Sequence, residues 1–269
     1  MIKHHRKKHS MQYHLFKNPN GGNTNIETLD QKLETLSDKY KLAPTKMIAD
    51  KFKALGFVVD DYKENRVRKA SKQGFQKHQV RLSNPTLLNS THKDIKIQLI
   101  VSNSHDGLSS LTMQLGIYRL VCANGMMAGT MFESISLRHT GKILEQIDES
   151  VMRIVSQVSK LDNMITALKN TQLTLAQQTQ FMSNAIKLRY DDTKTLSDVD
   201  FPIHREEDRP LDAFTFFNKI QESLIRGGNS VVNDKGKVRT ARAITSINTA
   251  NLINTGLFDL ISEYLPVAA

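Results

Sequence analysis

Three histidines and an aspartate, His78, His105, Asp106 and His139, fall in or beside the apolar-alternating stretches at the middle of this chain. Brought together, they could bind one divalent ion, with a water completing the shell. That would be the donor set of a metal-dependent nuclease. The spacing matches no known metal signature, and neither HExxH nor CxxC occurs. The other use of such residues is structural. With Asn103 and Asn124, the residues His105, Asp106 and His139 would order the turns at strand ends, or touch sugar and base edges. Cys122 could be a nucleophile only beside His105 or His139, and in the apolar run RLVCANG it reads better as a small buried residue. No residue is assigned as catalytic. No cofactor is required, and a divalent metal enters only with the nuclease alternative.

Phosphate binding is the second chemistry on offer. Arg66, Arg68, Lys69, Lys72, Lys77 and Arg81 are followed by Arg119, Arg138 and Lys142, all in probable strands and turns. Arg66 and Arg68 stand two apart, so a strand would put both on one face. Such cations neutralise phosphates and release counterions, which gives salt-sensitive binding with little sequence preference. A solvated edge strand also carries Lys and Arg, to prevent aggregation. Near the C-terminus, Arg226, Lys235, Lys237, Arg239 and Arg242 surround Gly227, Gly228 and Gly236. Glycines let backbone amides approach a phosphate; an ordinary surface hairpin has the same composition. Neither GKS nor GKT occurs, which removes support for a nucleoside triphosphatase. Phe57, Tyr62, Phe75 and Tyr118 could stack on bases, or fill the core.

The whole-chain balance favours a polyanionic partner. The net charge is +10 over 269 residues, and nucleic acid is the first candidate for such a surface. Lys3, Arg6, Lys7 and Lys8 supply part of it, and the body stays basic without them. That arm has no apolar h-region, and no run of eighteen apolar residues occurs. A single cysteine fits a reducing cytosol, so a cytoplasmic protein is expected.

These residues must be positioned by an α+β fold. Residues 1–26 read as a disordered basic arm, and residues 27–142 as N-terminal helices and an antiparallel sheet. Ile26, Leu29, Leu33 and Leu36 predict a helix over Asn25–Tyr40. PTKMIADKFKALGF predicts a second, closed by Gly56. FVVDDYKENRVR, HQVRLSN, IKIQLIVSNS, LTMQLGIYRLVC and ISLRHT predict about five antiparallel strands. A long helical segment over 143–190 carries the heptad seam Val151, Ile154, Val158, Leu161, Ile165 and Leu168. The seam could pack on the sheet of its own chain or pair two subunits of a homo-oligomer. Thr174 and Gln177 predict a capping box. Residues 191–210 read as a linker. Over 211–269 come C-terminal helices, Leu211–Arg226 and Thr240–Leu265, with the basic Gly-rich loop between them.

Four ordered stretches carry a family resemblance: PTKMIADKFKALGF, then RVR…GFQKHQVRL, then SNSHDG…LGIYRLVCANGMMAG…SLRHTG, and FNKIQESLIRGG…VRTARAI. Across residues 44–265 the chain resembles the phage/plasmid-like family of unknown function found in prophages, phages and conjugative plasmids. The resemblance brings no catalytic residues with it. It implies a setting on mobile elements, where recombination and replication expose single-stranded DNA. A basic antiparallel sheet followed by a long helix also looks like the core of Rad-fifty-two-type single-strand annealing proteins, an analogy of fold alone. The expectation is a phage- or plasmid-borne protein that binds and anneals single-stranded DNA. The alternatives are the nuclease and a counter-defence protein that acts by protein–protein interaction.

Overall fold

The computed structural model describes residues 29, 31–121, 124–190, 195–196, 201–232 and 235–265. Its framework is an antiparallel sheet of β1 (Val58–Glu64), β2 (His78–Ser83), β3 (Ile95–Asn103), β4 (Leu111–Arg119), β5 (Asn124–Met127) and β6 (Ile135–Leu137). The strand order is β1-β2-β3-β4-β5, and β6 also pairs with β4. β5 takes Gly116–Arg119 and β6 takes Leu111–Met113, so two short strands share one edge of β4. β5 was not expected from the sequence, because GMM shows no alternation.

The period-2 pattern of the long strands divides the sheet into unlike faces. Val80, Leu82, Leu99, Val101, Met113 and Leu115 lie on one face, and all are buried. Each such side chain contributes about 1.5–3 kcal/mol on leaving water. The opposite face carries Lys63, Gln79, Arg81, Gln98 and Tyr118 in the neighbouring registers. Helix α1 (Thr45–Ala54) covers the apolar face, where Ile48, Ala49 and Phe52 share a crevice with Val80, Leu82 and Val101. Gly56 ends this helix at φ +82°, a conformation that favours glycine.

The heptad seam serves the chain's own core. It falls on two helices, α2 (Ile143–Val155) and α3 (Val158–Asn170), separated at Ser156 and Gln157. Val151, Ile154, Val158, Leu161, Ile165 and Leu168 are at most 8% exposed and belong to the same hydrophobic core as the sheet. A subunit interface through residues 151–168 is therefore corrected to intrachain packing. Helix α4 (Leu175–Lys187) starts at the expected capping box of Thr174 and Gln177.

The N-terminal and C-terminal expectations need further correction. Residues 1–26 lie outside the described residues, and residues 31–40 form turns where a helix was expected. The expected linker is partly built into the fold. Its β7 (Thr195–Leu196) pairs with β8 (Ser230–Val232), which pairs with β9 (Val238–Thr240). Phe201 and Asp208 from the same stretch are buried. Helix α5 (Ala213–Arg226) is capped by Asp212 and buried on most sides. The last helix, α6, runs over Ile247–Ser262. It begins later than expected because β9 extends the chain to Thr240 and Ser246 supplies the cap.

An alternating chain of charges ties the sheet to α5. Arg119 Nη1 donates to Asp208 Oδ1 at 2.6 Å, and Nη2 to the Glu207 carbonyl at 2.8 Å. Arg205 bridges Asp208 at 2.9 Å and Glu222 at 2.8 Å, and Arg226 meets Glu222 at 2.6 Å. Arg119 and Asp208 are nearly inaccessible, with side chains 5% and 2% exposed. Removing one member of a buried pair costs about 3–5 kcal/mol, because the other charge is stranded. Asp208→Asn is therefore expected to lower stability by about that amount in urea unfolding. A change under about 0.5 kcal/mol, as at an ordinary surface site, would show that the pair does not secure the sheet.

Candidate functional site

The register aligns five strand ends in one row. Glu64 pairs with His78, His78 with Asn103, and Leu111 with Leu137. Immediately beyond that row the chain emerges as the 65–77 loop, the 104–110 turn and the 138–142 connection. The loop and the turn are joined by the His105 amide, which donates to the Phe75 carbonyl at 2.9 Å. One end of the sheet thus collects residues that the sequence spreads over some eighty positions.

Under this end the three histidines do converge. The ring centroids of His78 and His105 are 5.1 Å apart, and those of His105 and His139 are 6.3 Å apart. Tyr40 stacks on His139 at 4.8 Å. Thr45, at the first turn of α1, places its hydroxyl 2.7 Å from His78 Nε2 and 2.8 Å from His105 Nε2. All three rings are buried. Burial is the largest influence on each, and it lowers all three pKa values, to about 4 for His78 and about 2 for His105. The rings are neutral at pH 7, and neutrality fixes their protons. His78 Nδ1 faces the Gln76 carbonyl at 3.0 Å, so Nδ1 donates and Nε2 must accept. Thr45 then donates to His78, and its oxygen accepts from His105 Nε2. His139 Nε2 donates to Asn103 Oδ1 at 2.8 Å.

This arrangement does not make a metal centre. The Nε2 atoms of His78 and His105 are both committed to Thr45. Asp106 accepts from the Ser104 hydroxyl at 2.7 Å and the Leu108 amide at 3.1 Å, which shapes its own turn. Among the described residues, no group of three or more His, Cys, Asp or Glu is placed to bind a metal ion. The donor set His78, His105, Asp106 and His139 is therefore corrected to a turn-ordering cluster. Asn103, His105, Asp106 and His139 fill the ordering role given them by sequence. The side chain of Asn124, like Cys122, lies outside the described residues. The bridging role of Thr45 was missed, since a lone threonine after a proline reads as helix start.

The basic residues sort by exposure. Arg66, Arg68, Lys69 and Lys72 are exposed on the loop beyond β1, and Arg138 and Lys142 are exposed beyond β6. Arg66 and Arg68 are not in a strand, so their expected face-sharing is replaced by display from a loop. Lys77 is half-buried at the same end. Lys235, Lys237, Arg239 and Arg242 are exposed in and around the β8–β9 hairpin. That hairpin leads into α6, whose Ile247 amide donates to Asn65 Oδ1 at 2.9 Å. The start of α6, five residues after Arg242, is thereby held beside Asn65, the neighbour of Arg66. Arg119 is excluded from any phosphate by its burial against Asp208, and Arg226, though exposed, is paired with Glu222. Arg81 is half-buried on the polar face, away from the rim. Phe57 and Tyr62 are core residues, which removes them as stacking platforms.

Fold and site together define an α+β protein with an antiparallel sheet, a neutral histidine cluster under one end and a cationic rim above it. The chain belongs to the family described as Domain of unknown function (DUF932), which matches residues 32–252. It is similar to the UPF0380 proteins YafZ and YfjQ of Escherichia coli strain K12. Each is 29% identical over 239 residues, covering 88% of this chain and 86% of the relative. No solved structure matches it. Among the described residues, no helix is long and apolar enough to cross a membrane.

The histidine cluster makes stability depend on pH. An unfolded histidine titrates near 6.5, whereas His78 in the fold titrates at about 4. Between those values the unfolded chain binds more protons, so acid favours unfolding. Stability should be full above pH 6.5 and fall, between there and about pH 4, by about 1.4 kcal/mol per pH unit for each of His78 and His105. Urea midpoints at pH 7.5, 6 and 5 measure this, and a flat profile removes the neutral-cluster account. Thr45→Val keeps the shape but leaves two buried ring nitrogens without a partner. It should cost about 2–4 kcal/mol at pH 7.5; an unchanged urea midpoint would show that the hydroxyl bridge is dispensable.

Proposed function

We propose that this protein binds nucleic acid along the cationic rim at the end of its sheet. The observation that supports this most is the contact between Asn65 and Ile247, which joins the Arg66–Lys72 loop to the chain leading from Arg239 and Arg242. In this reading exposed cations from two distant parts of the sequence share one border, with Arg138 and Lys142 emerging at the same sheet end as the Arg66–Lys72 loop. An edge strand protected from aggregation needs no such gathering, because its charges serve one by one.

The mobile-element resemblance makes single-stranded DNA the form of nucleic acid to test first, in recombination or replication and in the cytoplasm. Annealing is part of the same proposal. If it needs an oligomer, the interface lies elsewhere than the 151–168 seam. The nuclease alternative has lost its ligand set to Thr45 and the Asp106 turn, and no observation here favours counter-defence by protein contact.

The test is Arg66→Ala with Arg68→Ala, titrated against a fluorescent oligodeoxythymidine at several salt concentrations. Losing two phosphate contacts should flatten the slope of log affinity against log salt by about 1.4 for a single strand. The histidine cluster and the core are untouched by these exposed changes, so the melting temperature should stay put. If affinity and slope both remain at wild-type values, the rim is not the binding surface.

A further inference from the structure

The polar face of the sheet holds a cavity that the rim does not explain. It lies between the sheet and the first turns of α6, with a volume of about 170 Å³. Ile247, Ala250, Asn251 and Asn254 line it from α6 at helical spacing, and Asp61, Lys63, Gln79, Arg81 and Tyr118 line it from the sheet. Sheet faces under a helix are normally apolar. This one presents two cations, one carboxylate, a phenol and three amides.

Neither of its cations forms an ion pair among the described residues. Arg81 makes one long hydrogen bond, 3.4 Å to Gln98 Oε1, and no ion pair among the described residues. Lys63 makes no hydrogen bond or ion pair among them. Burial is the first influence that lowers the pKa of Lys63, and repulsion from Arg81 the second. Asp61 at the exposed mouth offsets part of this charge but forms no contact pair with either. Gly125 is fitted to the arrangement, since a Cβ there would stand 2.6 Å from the Arg81 guanidinium carbon. By contrast, the buried Arg119 is paired with a carboxylate on a neighbouring segment. Buried charges are normally matched in that way; here one carboxylate, Asp61 opposite Arg81, faces two cations, and a net positive charge is left for something from outside.

We infer that this cavity is a binding site for a phosphate monoester, with Arg81 and Lys63 meeting its charge and the amide N–H groups of Asn251 and Asn254 donating to its oxygens. A planar guanidinium suits two phosphate oxygens at once. The volume is below the roughly 300 Å³ at which drug-sized pockets begin, so it takes a phosphate and part of a sugar rather than a run of nucleotides. The phosphate could come from the end of a strand or from a free mononucleotide. The site does not depend on the rim binding nucleic acid, and the two proposals fail separately.

Asn251→Asp is the decisive variant. Asn251 Oδ1 accepts from Gln79 Nε2 at 3.1 Å, and an aspartate keeps that acceptor while adding a negative charge inside the cavity. Inorganic phosphate, adenosine 5′-monophosphate and adenosine are titrated calorimetrically into the full chain. The first two are expected to bind and adenosine not to. The Asn251→Asp protein should bind them at least about tenfold more weakly, as a like charge a few ångström away in a half-buried site requires. Lys63→Gln carries the test if Asn251→Asp melts early. Arg66→Ala with Arg68→Ala should leave phosphate binding unchanged. A preference for a 5′-phosphorylated oligonucleotide over its 5′-hydroxyl form assigns the phosphate to a strand end; equal affinities with retained nucleotide binding assign it to the free nucleotide. No binding of phosphate or nucleotide to the wild-type protein, or equal binding to a folded Asn251→Asp protein, overturns the proposal.

Discussion

A hydroxyl group has one proton to give, and the Thr45 hydroxyl stands between two imidazole nitrogens. It can donate to one and accept from the other, and nothing else satisfies all three atoms. The Gln76 carbonyl decides the direction by requiring a proton on His78 Nδ1. A single arrangement then runs from His105 through Thr45 and His78 to the backbone. That arrangement holds α1 against the sheet end, because Thr45 belongs to the helix and His78 to β2. It also seats the 104–110 turn, because His105 begins it. The 138–142 connection is held separately, by His139 on Asn103.

Arginine shows how one residue type is put to three uses by its surroundings. Arg119 ends β4 on the apolar side and is buried, so it must be paired, and Asp208 and the Glu207 carbonyl pair it. Such a pair fixes geometry more than it adds stability, because desolvation offsets most of the attraction. Arg66 stands in water, where its charge acts at a distance and is screened within about 10 Å at ordinary salt. Arg81 lies between these limits, shielded by α6 yet unpaired. The same side chain is a fastening, a field source and an open valence, and burial decides which.

Much of the frame could be read from the sequence, for physical reasons that also mark where reading stops. Alternation over nine residues in β3 and in β4 is a strong signal, because one slipped residue would turn the whole apolar set to the wrong face. The box at Thr174 and Gln177 is local, so its residues announce it. β5 is four residues long and is defined by its partner, not by its own pattern. The seam of α2 and α3 has the period of a coiled coil but is interrupted at Ser156 and Gln157, and a period cannot say which surface an apolar stripe meets. At the site, His78, His105 and His139 were visible as candidates. Their convergence was not, because it rests on the pairing of strands far apart in the chain. Thr45 and Asn65 were invisible for the same reason: each acts through hydrogen bonds to residues at least 33 positions away.

The chemistry of the floor suits the rim above it. The loops at the sheet end need polar anchors, since their backbone and turn groups cannot be left unsatisfied. Carboxylates would anchor them, but each would also cancel one of the cations that Arg66, Arg68, Lys69, Lys72, Arg138 and Lys142 display. Charged histidines would repel those cations and would require water at the core. Neutral histidines bridged by Thr45 avoid both effects. They give directional hydrogen bonds, stack with Tyr40, and carry no charge at pH 7. Two acidic residues stand at this end: Asp106 accepts from the Ser104 hydroxyl and the Leu108 amide of its own turn, and Glu64 accepts from the Tyr62 hydroxyl. The neutral floor therefore adds no countercharge of its own beneath the rim, where the cations outnumber Glu64 and Asp106, and such an excess is what long-range attraction of a polyanion demands.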